Sequence, residues 1–175
     1  MSAPATTLTP NTVALMSTKD TPAPATLADT GFILADTDGE VVPPGYVGEV
    51  LSVTTTVSSG QVAFATSTTH NVLSLTLTPG NWFAWGNAVL HSAGGAAVPT
   101  DAQMGLSLVS GALPIASLQA ADVYGVALAT DIAEVLPPQM FNVSVNTTIY
   151  VVAHVDLTSG TDIVAYGAIL ARRIR

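Results

Sequence analysis

Hydrophobic and polar residues alternate along most of this chain. Residues 71–78 read NVLSLTLT, with Leu73, Leu75 and Leu77 on one face and Ser74, Thr76 and Thr78 on the other. A period of two is the signature of a half-buried strand. Pro79-Gly80-Asn81 then supplies a turn, and the next strand is expected over 82–91. Further strands are expected over 46–56, 61–68, 102–109, 122–128, 139–145, 148–157 and 162–174. Turn signals punctuate them at Ser58-Ser59-Gly60, Gly94-Gly95, Ser110-Gly111, Pro137-Pro138 and Ser159-Gly160. Many short strands with such spacing predict an all-β fold, an antiparallel jelly-roll sandwich. The best helical rival is the stretch 127–136, bounded tightly by Gly125 and Pro137.

Residues 1–44 break the pattern. Pro4, Pro10, Pro22, Pro24, Pro43 and Pro44 interrupt a Thr/Ala-rich stretch. Each proline lacks an N–H and restricts its neighbour, so no helix or central strand runs far. An extended N-terminal arm is predicted over 1–44, with a short strand or turn around Phe32 to Leu34. A β domain follows over 45–175. The arm also carries Asp20, Asp29, Asp36, Asp38 and Glu40, a target for basic loops of a partner.

Charge changes the picture most. The chain has 175 residues, 49% apolar but only 9% charged, with a net charge of -8. Soluble domains average about 25% charged residues. The only lysine is Lys19, and Arg172, Arg173 and Arg175 complete the basic set. Lysines blunt exposed sheet edges and charges keep monomers apart. A chain so poor in both is expected to cover its surface with copies of itself or with a larger assembly. Four basic residues neutralise few phosphates, which argues against nucleic-acid binding. No apolar run reaches the ~18 residues of a spanning helix, so membrane insertion is not expected. The opening MSAPATTLTP has neither the basic nor the apolar region of a secretory signal.

Candidate chemistry is thin. With no cysteine, thiol catalysis and thiolate zinc sites are excluded. Asp36-Thr37-Asp38-Gly39-Glu40 alternates carboxylates around a glycine, as a calcium loop does. The bidentate glutamate such a loop needs falls on Gly45, so a solvated turn is expected instead. His70, His91 and His154 are widely spaced and form no H-x-x-x-H pair. Gly105-Leu106-Ser107-Leu108-Val109 lacks the closing glycine of a nucleophile elbow. Glu49 and Glu134, with Asp122, Asp131 and Asp156, are the carboxylates from which a glycosidase pair would be drawn. Asn142 and Asn146 open chance glycosylation sequons. Trp82 and Trp85, an odd number of positions apart, face opposite ways on a strand, one into the core. Stacking on sugar rings is the functional alternative for the other. No enzyme, no metal and no cofactor is expected.

Three short motifs carry a resemblance. Gly45-Tyr46-Val47-Gly48-Glu49, then Leu77-Thr78-Pro79-Gly80-Asn81-Trp82, then Ala165-Tyr166-Gly167 through Ala171-Arg172-Arg173-Ile174-Arg175 occur in that order. They resemble a family of tailed-bacteriophage virion proteins in which they frame a domain at the tips of tail fibres, spikes and head fibres. Ile149-Tyr150-Val151-Val152-Ala153 resembles the family's penultimate strand. The resemblance covers about residues 45–175. It implies a jelly roll similar to tumour-necrosis-factor-like domains, assembled as a homotrimer. No coiled-coil or collagen-like shaft precedes the domain here. A head decoration protein, head fibre or neck appendage docked on capsid, connector or tail proteins through its arm is therefore expected. A tail-fibre tip that binds a receptor or host surface glycans is the alternative. Either location is the virion, after synthesis in the host cytoplasm. Continued alternation to Ile174 puts Arg173 and Arg175 on one face of the last strand and Arg172 on the other. All three are candidate subunit-interface residues, Arg173 foremost.

Overall fold

The computed structural model describes residues 13–15, 23–25, 42, 44–64, 67–92, 97–122, 131–159 and 163–174. The chain divides into two compact units, Met1–Val41 and Val42–Arg175. In the first, β1 (Val13–Leu15) pairs antiparallel with β2 (Ala23–Ala25). The Phe32 to Leu34 and Asp36 to Glu40 segments lie outside the described residues.

The second unit contains β3 (Val50–Thr54), β4 (Val62–Phe64), β5 (Thr68–Leu77), β6 (Gly80–Ser92), β7 (Val98–Ser107), β8 (Gln119–Asp122), β9 (Ile132–Val143), β10 (Thr147–Ser159) and β11 (Ile163–Arg173). A 3-10 turn, Ala116–Leu118, precedes β8. One sheet runs β5-β10-β7-β8 and the other β3-β11-β6-β9, with β4 also paired to β11; every pairing is antiparallel. Strands that follow one another in sequence fall repeatedly in opposite sheets. That is the strand order of a jelly roll.

The alternation read from the sequence becomes the core. Leu73, Leu75 and Leu77 are buried, while Ser74 and Thr76 are exposed. Ile149, Val151, Ala153 and Val155 stand beside them on β10, and Trp82, Leu90, Ile163 and Ile169 close the core from the other sheet. Each large aliphatic removed from water contributes roughly 1.5–3 kcal/mol. Val72 is buried beside Leu73 because the β5–β10 register shifts there, pairing Val151 with Leu73 but Val152 with Asn71. An extra residue in a bulge lets two neighbours share a face.

Two expectations are corrected. Pro137-Pro138 is not a turn between strands; it lies inside β9, where the β6 register shifts between Ala84 and Gly86. β9 is the edge strand of its sheet. Proline is tolerated at an edge bulge, because no partner asks for its missing N–H. The helical rival fails for the same stretch: Ile132 to Leu136 are strand, and residues 127–130 lie outside the described ones.

The outer faces of the two sheets differ. Outside β5-β10-β7-β8 stand Ser74, Thr76, Thr148, His154, Asp156, Gln103 and Asp101, a polar surface. Outside β3-β11-β6-β9, one cross-strand row reads Val50, Arg172, Phe83, Met140. Leu170 pairs with Trp85; further rows run Ala168, Asn87, Val135 and Tyr166, Val89, Ala133 from β11 across β6 to β9. Met140 and Val135 are 63% and 79% exposed, so this apolar face is open in the single chain.

Candidate functional site

The three motifs converge on one point. In the first, Gly45 and Gly48 take φ values of +90° and +97°, a left-handed region that side chains with a Cβ avoid. This tight turn brings the Glu49 carboxylate to accept a hydrogen bond from the Gly45 amide at 2.8 Å. The Gly48 amide donates to the Arg173 carbonyl and the Arg173 amide to the Glu49 carbonyl, each at 2.8 Å. The Arg173 Nε donates to the Glu49 carboxylate at 2.9 Å, with both side chains 5% exposed. Its remaining nitrogens donate to the Pro79 carbonyl and the Thr78 hydroxyl, both in the second motif. The Arg173 guanidinium also lies over the Trp82 ring, 4.3 Å from its centroid. The indole N–H of Trp82 donates to the Thr78 carbonyl at 2.8 Å.

The three arginines thus part company. Arg173 and Arg172 stand on opposite faces of β11, as the sequence predicts, and it is Arg173 that is buried. Arg172 is exposed on the apolar face between Val50 and Phe83. Arg175 lies outside the described residues. For Arg173 the structure shows an ion pair within the chain, with Glu49. The sequence held a signal for this: Glu49 ends the first motif, and a buried guanidinium demands a carboxylate.

Glu49 is accordingly spent on structure and is not free to act as a catalytic acid. Asp131 and Asp156 lie on the outer faces of different sheets, so they do not flank one cleft. The histidines are equally dispersed. His70 bonds the Thr68 hydroxyl at 2.9 Å and meets Phe64 edge-on. His154 bonds the Thr69 hydroxyl at 3.1 Å and approaches Asp156 at 3.4 Å. The Asp156 carboxylate in turn accepts from Ser67, at 2.7 Å. His91 Nδ1 meets Asp131 at 2.5 Å, and Tyr166 donates to the other oxygen of Asp131 at 2.6 Å. The hydrogen bond from Tyr166, followed by that from His91, holds the Asp131 carboxyl below the usual carboxylate range. The same bond raises the Tyr166 phenol above its ordinary value. Among the described residues no three acids or histidines group as a metal site, and no helix is long and apolar enough to cross a membrane.

Trp82 is fully buried, whereas Trp85 is half-buried on the apolar face beside Phe83, with ring centroids 5.8 Å apart. This is the split that the odd spacing predicts.

No protein family matches the chain, and no curated protein does. Solved structures do resemble it. The crystal structure of the infectious bursal disease virus VP2 subviral particle aligns with a TM-score of 0.46 at 15% identity, over 91% of this chain and 41% of that one. The structure of the Gx strain of the same virus aligns at 0.45 and 14% identity, over 82% and 37%. The T=1 particles derived from that virus align at 0.45 and 14%, over 91% and 40%. The chain spans about two-fifths of the length of these proteins. The fold assignment rests on the strand order, not on this distant likeness.

Proposed function

We propose that this chain is a structural protein of a virion, assembled as a homotrimer and docked by its N-terminal arm as a head decoration, head fibre or neck appendage. The observation that carries the reading is the apolar outer face of β3-β11-β6-β9. Exposed Val50, Phe83, Val135 and Met140 spread across its full width with Arg172 beside them. Large open apolar surfaces on soluble domains mark association sites. Closed symmetry covers such a face without forming an open-ended polymer. The resemblance of the three motifs to tailed-phage virion proteins agrees with this, and their convergence makes them one structural feature instead of three coincidences. Arg172, with Arg175, takes the subunit-interface role; Arg173 supports the strand from behind.

The arm is the attachment element in this reading. Its prolines deny it a large core, and its acidic residues suit basic loops on a capsid or connector. Deleting residues 1–40 is expected to leave a soluble trimer that no longer joins particles. Full occupancy of particles by the truncated chain would overturn the assignment, and cryo-EM of labelled virions would locate the chain on head, neck or tail.

The alternative, a receptor- or glycan-binding tip, draws on the exposed Phe83–Trp85 pair. Aromatic faces stack on sugar rings. A glycan array probed with the trimer separates the two readings, because self-association would cover these same rings.

A further inference from the structure

His91, Asp131 and Tyr166 form the polar cluster at one end of the apolar face. His91 and Tyr166 project from the outer side of β6 and β11, and Asp131 immediately precedes β9. The Asp131 carboxylate receives Tyr166 on one oxygen and His91 on the other. We propose that this cluster makes self-association through the face pH-dependent, with each subunit taking up a proton on His91 as the face is buried. The inference rests on the homotrimer reading above.

The argument is one of net charge. A neutral imidazole can donate its Nδ1 proton to Asp131, so the hydrogen bond exists in either state. With His91 neutral the cluster carries one negative charge; with Nε2 also protonated it is an ion pair with none. Removing an uncompensated charge from water costs more than removing a paired one. Assembly therefore favours the protonated form, and linkage requires that protonation favour assembly. Asp131 does not compete for that proton, since its two hydrogen bonds keep it ionised below the ordinary carboxylate range.

Among the described residues, His91 is the histidine on this face. β3 and β4 carry no titratable residue within their strands. On β11 the other ionisable group facing outward is Arg172, at the far end of the strand. On β9, Glu134 pairs with Ala88, whose side chain is fully buried, and so belongs to the inward row. His154 stands outside the other sheet, and His70, paired with the inward-facing Ala153, is not on this face.

The test is sedimentation equilibrium of the full chain across about pH 5.5–8.5, the range spanning ordinary histidine titration. Trimer affinity should fall as pH rises, by up to about tenfold per subunit per pH unit above the titration midpoint. His91→Gln, which keeps a hydrogen-bond donor and cannot titrate, should abolish the slope while still forming trimers; Asp131→Asn should abolish or reverse it, since a protonated His91 then has no counter-charge. A trimer whose affinity is flat with pH, or a slope that survives in both variants, overturns the switch and leaves the homotrimer standing. A chain that stays monomeric at every pH overturns the homotrimer, and the switch with it.

Discussion

Arg173 reaches 124 positions back along the chain to Glu49, and the two close at 2.9 Å with almost no exposure to solvent. The pair ties the entrance of the β domain to its last strand, while Thr78 and Pro79 tie the β5–β6 turn to the same guanidinium. Three segments far apart in sequence are thereby held by one charge. Its desolvation is offset because each nitrogen of the guanidinium has an acceptor and the Trp82 ring covers one of its faces.

Removing either member alone should be severe. Arg173→Met strands a carboxylate and Glu49→Met leaves a guanidinium without its anion; each is expected to cost about 3–5 kcal/mol. The double variant Glu49→Met with Arg173→Met should recover part or all of that loss, since a buried ion pair and a well-packed apolar pair are often close in stability. Urea unfolding at one fixed protein concentration measures all four proteins. Additive losses in the double variant would show that the two residues do not act as a unit.

A second vulnerability lies where β6 and β11 approach most closely. A Cβ on Gly86 would sit 2.4 Å from the Ala168 carbonyl oxygen, and one on Gly167 would sit 2.2 Å from that of Asn87. Both obstacles are backbone in paired central strands, so neither can swing aside. Gly86→Ala and Gly167→Ala are expected to destabilise by more than the ~1 kcal/mol typical of point substitutions, with loss of soluble folded protein as the extreme. Thermal unfolding followed by far-UV circular dichroism checks this; a melting temperature within a degree or two of the parent would show that the strands can separate.

How much of this was legible beforehand depends on range. Period-two alternation placed Leu73, Leu75 and Leu77 correctly because it is local, and the odd spacing of Trp82 and Trp85 separated core from surface for the same reason. The β9 prolines misled because an edge bulge and a turn tolerate the same residue, and only sheet position tells them apart. The Arg173 pairing was half visible. Alternation separated Arg173 from Arg172, but the placing of Glu49 beside it depends on topology that no local pattern encodes. The apolar outer face emerged only when register set Val50, Arg172, Phe83 and Met140 in one row.

The Tyr166–Asp131 hydrogen bond predicts a pH signature with opposite signs at the two ends. Asp131 has a lowered value in the folded chain, so its contribution is present above the unfolded carboxyl value of about 3.9 and is lost as pH falls through the folded one. Tyr166 has a raised value, so its contribution is present below about 10 and is lost as pH rises through the folded one. Tyr166→Phe should remove the alkaline loss and let the Asp131 carboxyl move back up, with His91 retaining part of the shift. Carboxyl carbon NMR titration of both proteins reads this directly. An unmoved Asp131 in the variant would assign its shift to His91 alone.

The apolar face offers the sharpest separation of folding from assembly. Val135 and Met140 are exposed in the single chain, so charging them removes little from the core. Surface changes of this kind usually alter stability by within about 0.5 kcal/mol. In an assembly that buries the face, the same charges would be desolvated without partners, at several kcal/mol each. Val135→Lys and Met140→Glu should therefore give monomers by light scattering, with circular dichroism unchanged from the parent. Charging Thr76, on the polar outer face of the opposite sheet, should leave the mass untouched. Trimers that persist in both face variants would move the interface elsewhere, and Thr76→Lys monomers would move it to the other sheet.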